Sequence, residues 1–364
     1  MKKKKVIIFL PSIEDYGVEK NAYIISNYLS NIIDISLITV SKRYKNRFNK
    51  KIKFIFPKFN FWDNLGRKSK YLICLFLLLK RAILKKDCLV FCFQANIYCI
   101  ILCKILNIKI IARANSSPSG WANNFLKNFI FKLILNKADQ VLVNSLEFKR
   151  QLKNRFNIKA KCIYNPLNLK EIKKKSKFSS LRIFNNHKTL KIITVGRFVY
   201  QKDQLTILRA LKFIEKKVNF RFTIVGSGNL KKNLIDFSKK NNIYKKIQFV
   251  DYKKNIYPLI NQADIFVLSS IYEGLPNVLL EAIALKKFVI SSKCPTGPKE
   301  ILLNGKGGLL FNVGDHKDLG RKIIFYLNKK KKCKSMLNKA FTNLNRFDAN
   351  LNLKKHLVEI NKLI

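Results

Sequence analysis

Two glutamates, Glu273 and Glu281, stand eight positions apart in the stretch SSIYEGLPNVLLEAIALKK, with a Gly-Leu-Pro break between them. The first lies in an expected loop and the second in an apolar run with helical spacing. A carboxylate near a helix start can simply stabilise the helix dipole, and this explains Glu273. It explains Glu281 poorly, because a carboxylate inside an apolar helix needs a hydrogen-bond partner. Sugar hydroxyl groups would supply a partner for each glutamate.

A second group of charged residues lies in the stretch IITVGRFVYQKDQLTILRAL. Arg197 and Lys202 follow an expected strand and precede a helix that we expect to begin around Asp203. Arginine can grip two oxygens of a phosphate and lysine adds a compact charge, while the N–H groups of a helix start favour the same anion. The pair predicts a diphosphate site, whereas one cation alone would mean nothing in a chain this rich in lysine.

Two other expected strand-to-helix junctions contain glycines. Gly17, in FLPSIEDYGVEKNAYIISNYL, precedes an expected helix and would let the backbone approach an anion closely, although an ordinary loop glycine explains it equally well. Gly226 and Gly228 flank Ser227 in RFTIVGSGNLKKNL. A lone Gly-x-Gly is weak evidence for a phosphate site, so we interpret this one as a structural turn.

These junctions belong to a repeated alternation of short apolar runs with longer segments of helical periodicity. The alternation predicts an α/β protein with two doubly wound, Rossmann-like domains, whose parallel sheets bind ligands beyond the carboxyl ends of their strands. We place the first domain at 1–170, a polar and basic linker at 171–189 and the second domain at 190–345. A helix over 346–364 could cross back to the first domain.

The chain has 364 residues, enough for two such domains, and its 73 Lys and Arg against 21 Asp and Glu give a net charge of +52. Compositional bias accounts for part of this excess. The rest creates a field that attracts polyanions or an anionic membrane surface. No helix-turn-helix, RNA-binding sheet motif or zinc finger is recognisable, so we expect no nucleic-acid partner.

Other features of the sequence indicate where in the cell the protein works. The eight cysteines form no Cys-x-x-Cys pair, which favours buried thiols in a reducing cytoplasm over disulfides or a zinc site. The apolar run near the N-terminus stops at Pro11, as expected for a first strand rather than an export signal. The most apolar segment, 71–84, is shorter than the ~20 residues of a membrane span. Together with Phe61, Trp62 and flanking Lys and Arg, it fits either a helix docked on a membrane or a buried core helix.

The stretches VGRFVYQKD, ADIFVLSSIYEGLPNVLLEAIA and YGVEKNAYIISNYL resemble the retaining glycosyltransferases of family 4, which have the GT-B fold. The resemblance covers nearly the whole chain and is densest over 191–311. It implies the retaining transfer of a hexose or N-acetylhexosamine from a nucleotide-sugar to a polysaccharide or a lipid-linked oligosaccharide. The nucleotide would be UDP, which is common in this family. It also implies two domains facing a central cleft, and a location at the cytoplasmic face of the membrane.

The resemblance assigns roles to residues already singled out. Arg197 and Lys202 would hold the diphosphate and stabilise the leaving charge, Glu273 would bind hydroxyls of the donor sugar, and Glu281 would bind the ribose. The resemblance also implies that Gly274 belongs to the donor-binding loop and that backbone N–H groups near Asn277 and Val278 point to the nucleotide. Gly17 would lie across the cleft, where its loop would back the phosphates. No metal or other cofactor is expected, since no Asp-x-Asp occurs and the two cations would take its place.

The sequence departs from the family at two places. Many relatives have a His after the fourth strand, but this chain has VFCFQANIY there and only His187, His316 and His356 elsewhere. Gln94 or Asn96 could substitute, and Arg113 and Asn115 of IIARANSSPSG could reach the donor phosphate or the acceptor; an ordinary polar loop is the alternative. After Glu281, Lys286 and Phe288 occupy positions where relatives often have Gly and Pro, which puts the local turn in doubt.

The sequence leaves two further functions open. An epimerase or a phosphorylase of the same fold would need acid–base residues in its cleft, and the scarcity of His argues against it. A polyanion-binding protein would need only the charge.

Overall fold

The computed structural model describes residues 5–14, 17–84, 88–115, 125–178, 183–184 and 189–364. Its strands are β1 Lys5–Phe9, β2 Asp34–Ile38, β3 Lys53–Ile55, β4 Leu89–Cys92, β5 Ile110–Ala114, β6 Gln140–Val143, β7 Ala160–Cys162, β8 Leu190–Val195, β9 Phe220–Val225, β10 Ile247–Val250, β11 Ile265–Leu268, β12 Phe288–Ser292 and β13 Leu309–Phe311. Its α-helices are α1 Gly17–Leu29, α2 Arg67–Leu84, α3 Asn96–Ile105, α4 Phe125–Leu135, α5 Leu146–Phe156, α6 Leu169–Ser176, α7 Gln204–Ile214, α8 Lys231–Lys240, α9 Tyr257–Asn261, α10 Asn277–Ala284, α11 Pro298–Ile301, α12 His316–Asn328, α13 Lys330–Thr342 and α14 Ala349–Asn361.

The chain forms two compact units. The first comprises Met1–Pro166 together with Ala349–Ile364, and the second comprises Leu167–Asp348. The first unit therefore contains α14, which comes from the far end of the chain.

The first unit is built on a seven-stranded parallel sheet in the order β3-β2-β1-β4-β5-β6-β7. Ile7 and Phe9 of β1 point to a core formed with α2, α3 and α5. Val6 and Ile8 point to the opposite core, formed with α1 and α14. Alternate residues of one strand thus fill two apolar layers, which explains the continuous apolar runs in the sequence.

The second unit has a six-stranded parallel sheet in the order β10-β9-β8-β11-β12-β13. From β8 the chain builds outward to β9 and β10, and it then returns to build β11, β12 and β13 on the other side. The strand order therefore reverses between β8 and β11. In open α/β sheets such a reversal leaves a crevice at the carboxyl ends of the strands. The predicted doubly wound α/β architecture is confirmed in both units.

The predicted linker at 171–189 is wrong for its first part. Asn168 caps a helix, α6, by accepting a hydrogen bond from the Glu171 N–H at 3.0 Å. Ile172 of this helix is buried, and α6 packs against α9 and α10 within the second unit. This part of the predicted linker is therefore a helix that belongs to the second unit. Residues 179–182 and 185–188, with His187, lie outside the described part of the chain.

The turn after α10, which the sequence put in doubt, forms with a lysine at its critical position. Lys286 has φ 56°, a left-handed conformation that glycine adopts more easily. Its N–H donates to the carbonyl of Ile283 at 2.8 Å, and the N–H of Lys287 donates to Ala282 at 2.9 Å. The helix therefore ends as a glycine would end it, and Phe288 begins β12 directly.

Candidate functional site

The candidate site lies where the strand order of the second unit reverses. The loops after β8 and β11 run side by side there, and several hydrogen bonds join them, including one from the Ser269 hydroxyl to the carbonyl of Lys202 at 2.9 Å. The N–H of Ile271 donates to the carbonyl of Gln201 at 2.8 Å, and the Gln201 side-chain amide donates to the carbonyl of Tyr272 at 2.9 Å. The sequence predicted functional residues in both loops, and the sheet topology places the two loops together.

Lys202 and Glu273 form an ion pair across these loops. The Lys202 Nζ lies 2.5 Å from Glu273 Oε1, and the Ser270 hydroxyl donates to the same oxygen at 2.6 Å. Both charged side chains are largely shielded from water. An ammonium group has three protons and a carboxylate has two acceptor oxygens. The pair can therefore satisfy its own charges and still donate to an anion through Nζ and accept from a hydroxyl through Oε2.

The loop that carries Arg197 is held by hydrogen bonds to its backbone. The Arg197 carbonyl accepts a hydrogen bond from the buried Gln204 side chain at 2.7 Å, and the N–H of Phe198 donates to the carbonyl of Ser227 at 2.8 Å. Gly226 has φ 153°, and a Cβ there would lie 2.0 Å from the carbonyl oxygen of Gly196. The Gly-Ser-Gly segment is thus a close-packed structural turn, as expected, and it supports the backbone around Arg197.

Glu281 is buried in the second turn of α10. Its Oε1 lies 3.5 Å from the hydroxyl of Tyr257 in α9. Asn277 and Val278 form the first turn of α10, and within the described part of the chain no side chain caps the helix start at Pro276. The backbone N–H groups of this turn, with the positive end of the helix dipole, favour an anion or a polar acceptor at this end.

The loop between Glu273 and α10 is fixed by the segment that follows β12. The Thr296 hydroxyl donates to the carbonyl of Glu273 at 2.5 Å, and the Glu273 N–H donates to Pro295 at 3.3 Å. Gly297 has φ 78°, and a Cβ there would lie 2.4 Å from the carbonyl oxygen of Gly274. The missing side chain of Gly297 therefore lets the two loops touch and sets the direction of the Glu273 side chain.

In the first unit, Gln94 is engaged by its own surroundings. Its amide oxygen accepts from the N–H of Ser12 at 3.0 Å, while its amide nitrogen donates to the Ser12 carbonyl at 2.9 Å and to Glu19 at 2.8 Å. Gln94 follows β4 and Ser12 follows β1, so these bonds bridge the strand reversal of this unit. A contact between Gln94 and the donor stays a prediction. Gly17 is the exposed first residue of α1, and its predicted role also stays a prediction.

Arg113 corrects a prediction, because it is fully buried inside the first unit and does not present its guanidinium to a ligand. Its Nη1 lies 2.6 Å from Nε2 of His356 in α14, and its Nη2 donates to Asn165 at 3.0 Å. Burial lowers the pKa of Arg113 to about 10. Burial, and then the nearby Arg113 charge, hold the pKa of His356 well below its usual range. The arginine thus anchors α14 to the sheet.

Asn96 follows β4 and Asn115 follows β5, so both lie beyond the carboxyl ends of two neighbouring strands. The Asn96 amide donates to the carbonyl of Arg113 at 2.9 Å, and the Asn115 amide donates to the carbonyl of Phe93 at 3.1 Å. Among the described residues, the buried amide oxygen of each has no hydrogen-bond partner. Their roles toward a donor or an acceptor remain predictions.

Sequence reasoning missed four side chains that support the candidate site or its counterpart in the first unit: Ser270, Thr296, Gln204 and Glu19. A polar pair at the end of a buried strand, as in LSSIYEG, was the available signal for Ser270. The others gave no signal, because a lone Thr, Gln or Glu in a loop or first helical turn usually faces solvent.

Within the described residues, no group of three or more His, Cys, Asp or Glu side chains is arranged to hold a metal ion. The described cysteines are all free thiols, and six of the eight are buried, as expected from their apolar surroundings.

Parts of this chain are similar to known proteins. Residues 176–342 match the family model described as glycosyl transferases group 1. An uncharacterised glycosyltransferase of Methanocaldococcus jannaschii is 32% identical over 179 residues, which cover 47% of this chain and 44% of the relative. The Campylobacter jejuni N-acetylgalactosamine-N,N'-diacetylbacillosaminyl-diphospho-undecaprenol 4-alpha-N-acetylgalactosaminyltransferase is 27% identical over 229 residues, which cover 62% of this chain and 61% of the relative. The chain thus spans about half the length of the curated relatives that it matches.

Among solved structures, Anabaena HepE in complex with UDP and glucose superposes with a TM-score of 0.78 at 16% identity, covering 99% of this chain and 100% of HepE. The sucrose-phosphate synthase of Thermosynechococcus elongatus superposes with a TM-score of 0.81 at 14% identity, covering 99% of each chain. These likenesses show the fold, which is GT-B, with two Rossmann-like domains. Residues 176–342, which form most of the second unit, are thus similar to the glycosyl transferases group 1 family.

Proposed function

We propose that this protein is a retaining glycosyltransferase that moves a hexose or an N-acetylhexosamine from a UDP-linked donor to a polysaccharide or lipid-linked oligosaccharide acceptor. The observation that carries the proposal is the Lys202–Glu273 ion pair at the strand reversal of the second unit. It combines a cation for a phosphate with a carboxylate for sugar hydroxyls, within the reach of a single nucleotide-sugar.

The diphosphate is held by Arg197 and Lys202. Its negative charge grows as the bond between the anomeric carbon and the phosphate oxygen breaks, so a fixed cation stabilises the transition state more than the bound donor. The Lys202 ammonium group donates one hydrogen bond to Glu273 and directs another N–H to the phosphate. The two cations supply the charge that a divalent ion would otherwise supply, which makes transfer independent of metal.

The rest of the donor is held by two carboxylates and one helix start. Glu273 accepts hydrogen bonds from the sugar through Oε2, and Gly274 follows it in the same loop. Glu281 accepts from the ribose hydroxyls, and the N–H groups of Asn277 and Val278 point to the nucleotide. A hydroxyl left unpaired next to a buried carboxylate would cost binding energy, so these contacts also select the donor.

The transfer step leaves the configuration of the sugar unchanged. The acceptor oxygen forms its bond to the anomeric carbon on the face from which the UDP phosphate departs, and the acceptor proton passes to the departing phosphate oxygen. No enzyme nucleophile is assigned to this step. This hypothesis follows the resemblance to family 4.

The acceptor class is supported by relatives and by charge. The Campylobacter relative is named for a substrate on diphospho-undecaprenol, and HepE was solved with UDP and glucose. A net charge of +52 favours a surface that carries anionic lipids. In the described part of the chain, every helix is too short or too polar to cross a bilayer. We therefore place the reaction at the cytoplasmic face of a membrane, with the protein attached peripherally.

The first test is a panel of UDP-, GDP- and ADP-linked hexoses and N-acetylhexosamines, incubated with the purified full chain and EDTA. Nucleotide release from one donor is the expected result, and the anomeric configuration of the transferred sugar then tests retention. Binding of UDP without release calls for the same panel with a lipid-linked saccharide as acceptor. A folded protein that binds no nucleotide contradicts the proposal, and release that depends on divalent metal contradicts the role given to the two cations.

A further inference from the structure

The outward side of α2 is apolar, although it is not covered by the rest of the protein. Leu72, Phe76 and Ile83 are 69%, 59% and 67% exposed. Their spacing of four and seven residues puts them on one stripe of the helix. The opposite stripe, with Cys74, Leu78 and Ala82, is buried in the core of the first unit. The helix thus has two apolar sides, of which only one is used for folding.

The neighbouring helices repeat this pattern. α3 packs against both α2 and α4 within the first unit. Among the side chains that the structure describes on these two helices, the large apolar ones that are exposed are Tyr98, Ile101, Ile105, Phe129, Ile130 and Leu133. Three adjacent helices therefore share an outward apolar layer, which we call the α2–α4 face. Scattered exposed apolar residues need no explanation, but a contiguous layer marks a surface that binds a partner.

The charges of the α2–α4 face have one sign. The helices α2, α3 and α4 contain five, one and two Lys or Arg residues and no Asp or Glu. Three of these cations are paired with acids of neighbouring segments: Arg67 with Glu14, Lys70 with Asp63 and Lys104 with Asp139. Lys68, Lys80, Arg81 and Lys132 make no ion pair within the described residues. The partner of this face is therefore both apolar and anionic.

Aromatic side chains border the layer. Phe59, Phe61 and Trp62 precede α2: the Phe59 and Phe61 rings are tilted, with centroids 6.1 Å apart, and the Phe61 and Trp62 rings are stacked at 4.7 Å. The ring centroids of Tyr71 in α2 and Tyr98 in α3 are 6.5 Å apart. Trp and Tyr favour the boundary between lipid headgroups and acyl chains, where an apolar ring and a polar group are both satisfied. Lysines around an apolar face suit the same boundary.

We propose that the α2–α4 face docks on an anionic phospholipid bilayer, with its apolar side chains among the acyl chains and its cations at the headgroups. A second copy of the chain fits less well, because two identical cationic faces on molecules of net charge +52 repel each other. The inference deepens the proposed function, on which it rests for the membrane as the place of reaction. Lipid binding itself requires no sugar transfer.

The test is co-sedimentation of the full chain with phosphatidylcholine vesicles, with and without phosphatidylglycerol. We expect binding only to the anionic vesicles. The triple variant L72S/F76S/I83S should lower the partition coefficient by about tenfold or more, because binding scales with the apolar area inserted. K80E/R81E should lower it by a similar factor. The matched control is L351S/V358S, which changes residues 44% and 51% exposed on α14, against the opposite face of the same sheet.

The outcomes separate this inference from the proposed reaction. Vesicle binding that is equal in wild type and L72S/F76S/I83S overturns the docking face, and so does a wild-type dimer that this variant dissociates. UDP-sugar turnover in solution should be the same in wild type, L72S/F76S/I83S and the α14 control. A wild type that binds vesicles but neither binds nor turns over a nucleotide-sugar would contradict the proposed function alone. Turnover without vesicle binding would contradict the docking alone.

Discussion

Both units have a strand reversal, and each reversal is bridged by side chains of opposite character. In the first unit, Gln94 after β4 bonds to the backbone of Ser12 after β1, and every bond is used within the protein. In the second unit, Lys202 and Glu273 bridge the loops after β8 and β11 as an ion pair. The amide bridge leaves no N–H to donate, while the ion pair keeps protons and an acceptor oxygen for a ligand. Topology therefore provides the place, and the side chains decide whether it can bind.

A similar contrast holds for two cations that are shielded from water. Lys202 faces a carboxylate, whereas Arg113 is surrounded by the neutral His356, Asn165 and a backbone carbonyl. A cation with a carboxylate partner can share its charge with an incoming phosphate. A cation inside a core, with neutral partners, can only fix the elements around it.

The largest effect is expected from Lys202→Ala. Since Lys202 meets charge that develops in the transition state, turnover should fall by about 100- to 1,000-fold, with a smaller change in donor affinity. Donor turnover at saturation measures this. The control is Lys212→Ala, which removes an exposed pairing with Glu215 on the surface of the same unit and should change turnover by less than about twofold. Equal losses in the two variants would refute the special role of the ion pair.

Glu281→Ala should act on binding more than on turnover. Hydrogen bonds from ribose hydroxyls to a buried carboxylate are worth about 1.5–3 kcal/mol, so UDP affinity should fall by about 10- to 100-fold. Calorimetric titration with UDP measures this change. Tyr257→Phe, which removes only the hydroxyl 3.5 Å from Glu281, should change UDP affinity far less. If both variants bind UDP like the wild type, Glu281 has only a structural role.

The Arg113–His356 contact predicts a dependence of stability on pH. The pKa of His356 is lowered in the folded state, so the imidazole is neutral there and takes up its proton only on unfolding. The free energy of unfolding should therefore fall as the pH drops below the ordinary pKa of about 6.5, by up to about 1.4 kcal/mol per pH unit. Denaturant titrations at pH 7.5, 6 and 5 would measure it. His356→Gln should flatten this dependence, and an unchanged slope would exclude His356 as its source.

The smallest effect on the reaction is expected from Gln94→Ala. This change removes three hydrogen bonds inside the first unit and should lower the free energy of unfolding by about 1 kcal/mol or more. Because those bonds occupy the whole amide, UDP affinity and donor turnover should stay within about twofold of wild type. A large loss of turnover with little loss of stability would instead support the prediction that Gln94 contacts the donor.

The sequence was informative wherever a strand was buried on both faces, because such strands are continuous apolar runs. The strands β3, β7 and β13 give no such run, since each has three residues and lies at the edge of its sheet, where burial is partial. At the site, charged residues after buried strands identified Lys202 and Glu273. The pattern could not show whether a polar residue points to a ligand or into a core, and for this reason Arg113 was misassigned while Ser270 was missed.

The position of α14 has a consequence for biosynthesis. The residues of the second unit, Leu167–Asp348, are contiguous and leave the ribosome before α14 does. The first unit starts earlier, but it needs His356 and Glu359 of α14 to pair with Arg113, Gln140 and Lys161. The nascent chain can thus complete its second unit while its first unit still lacks one helix. Termination before His356 would remove these pairs from the first unit and leave every residue of the second unit in place.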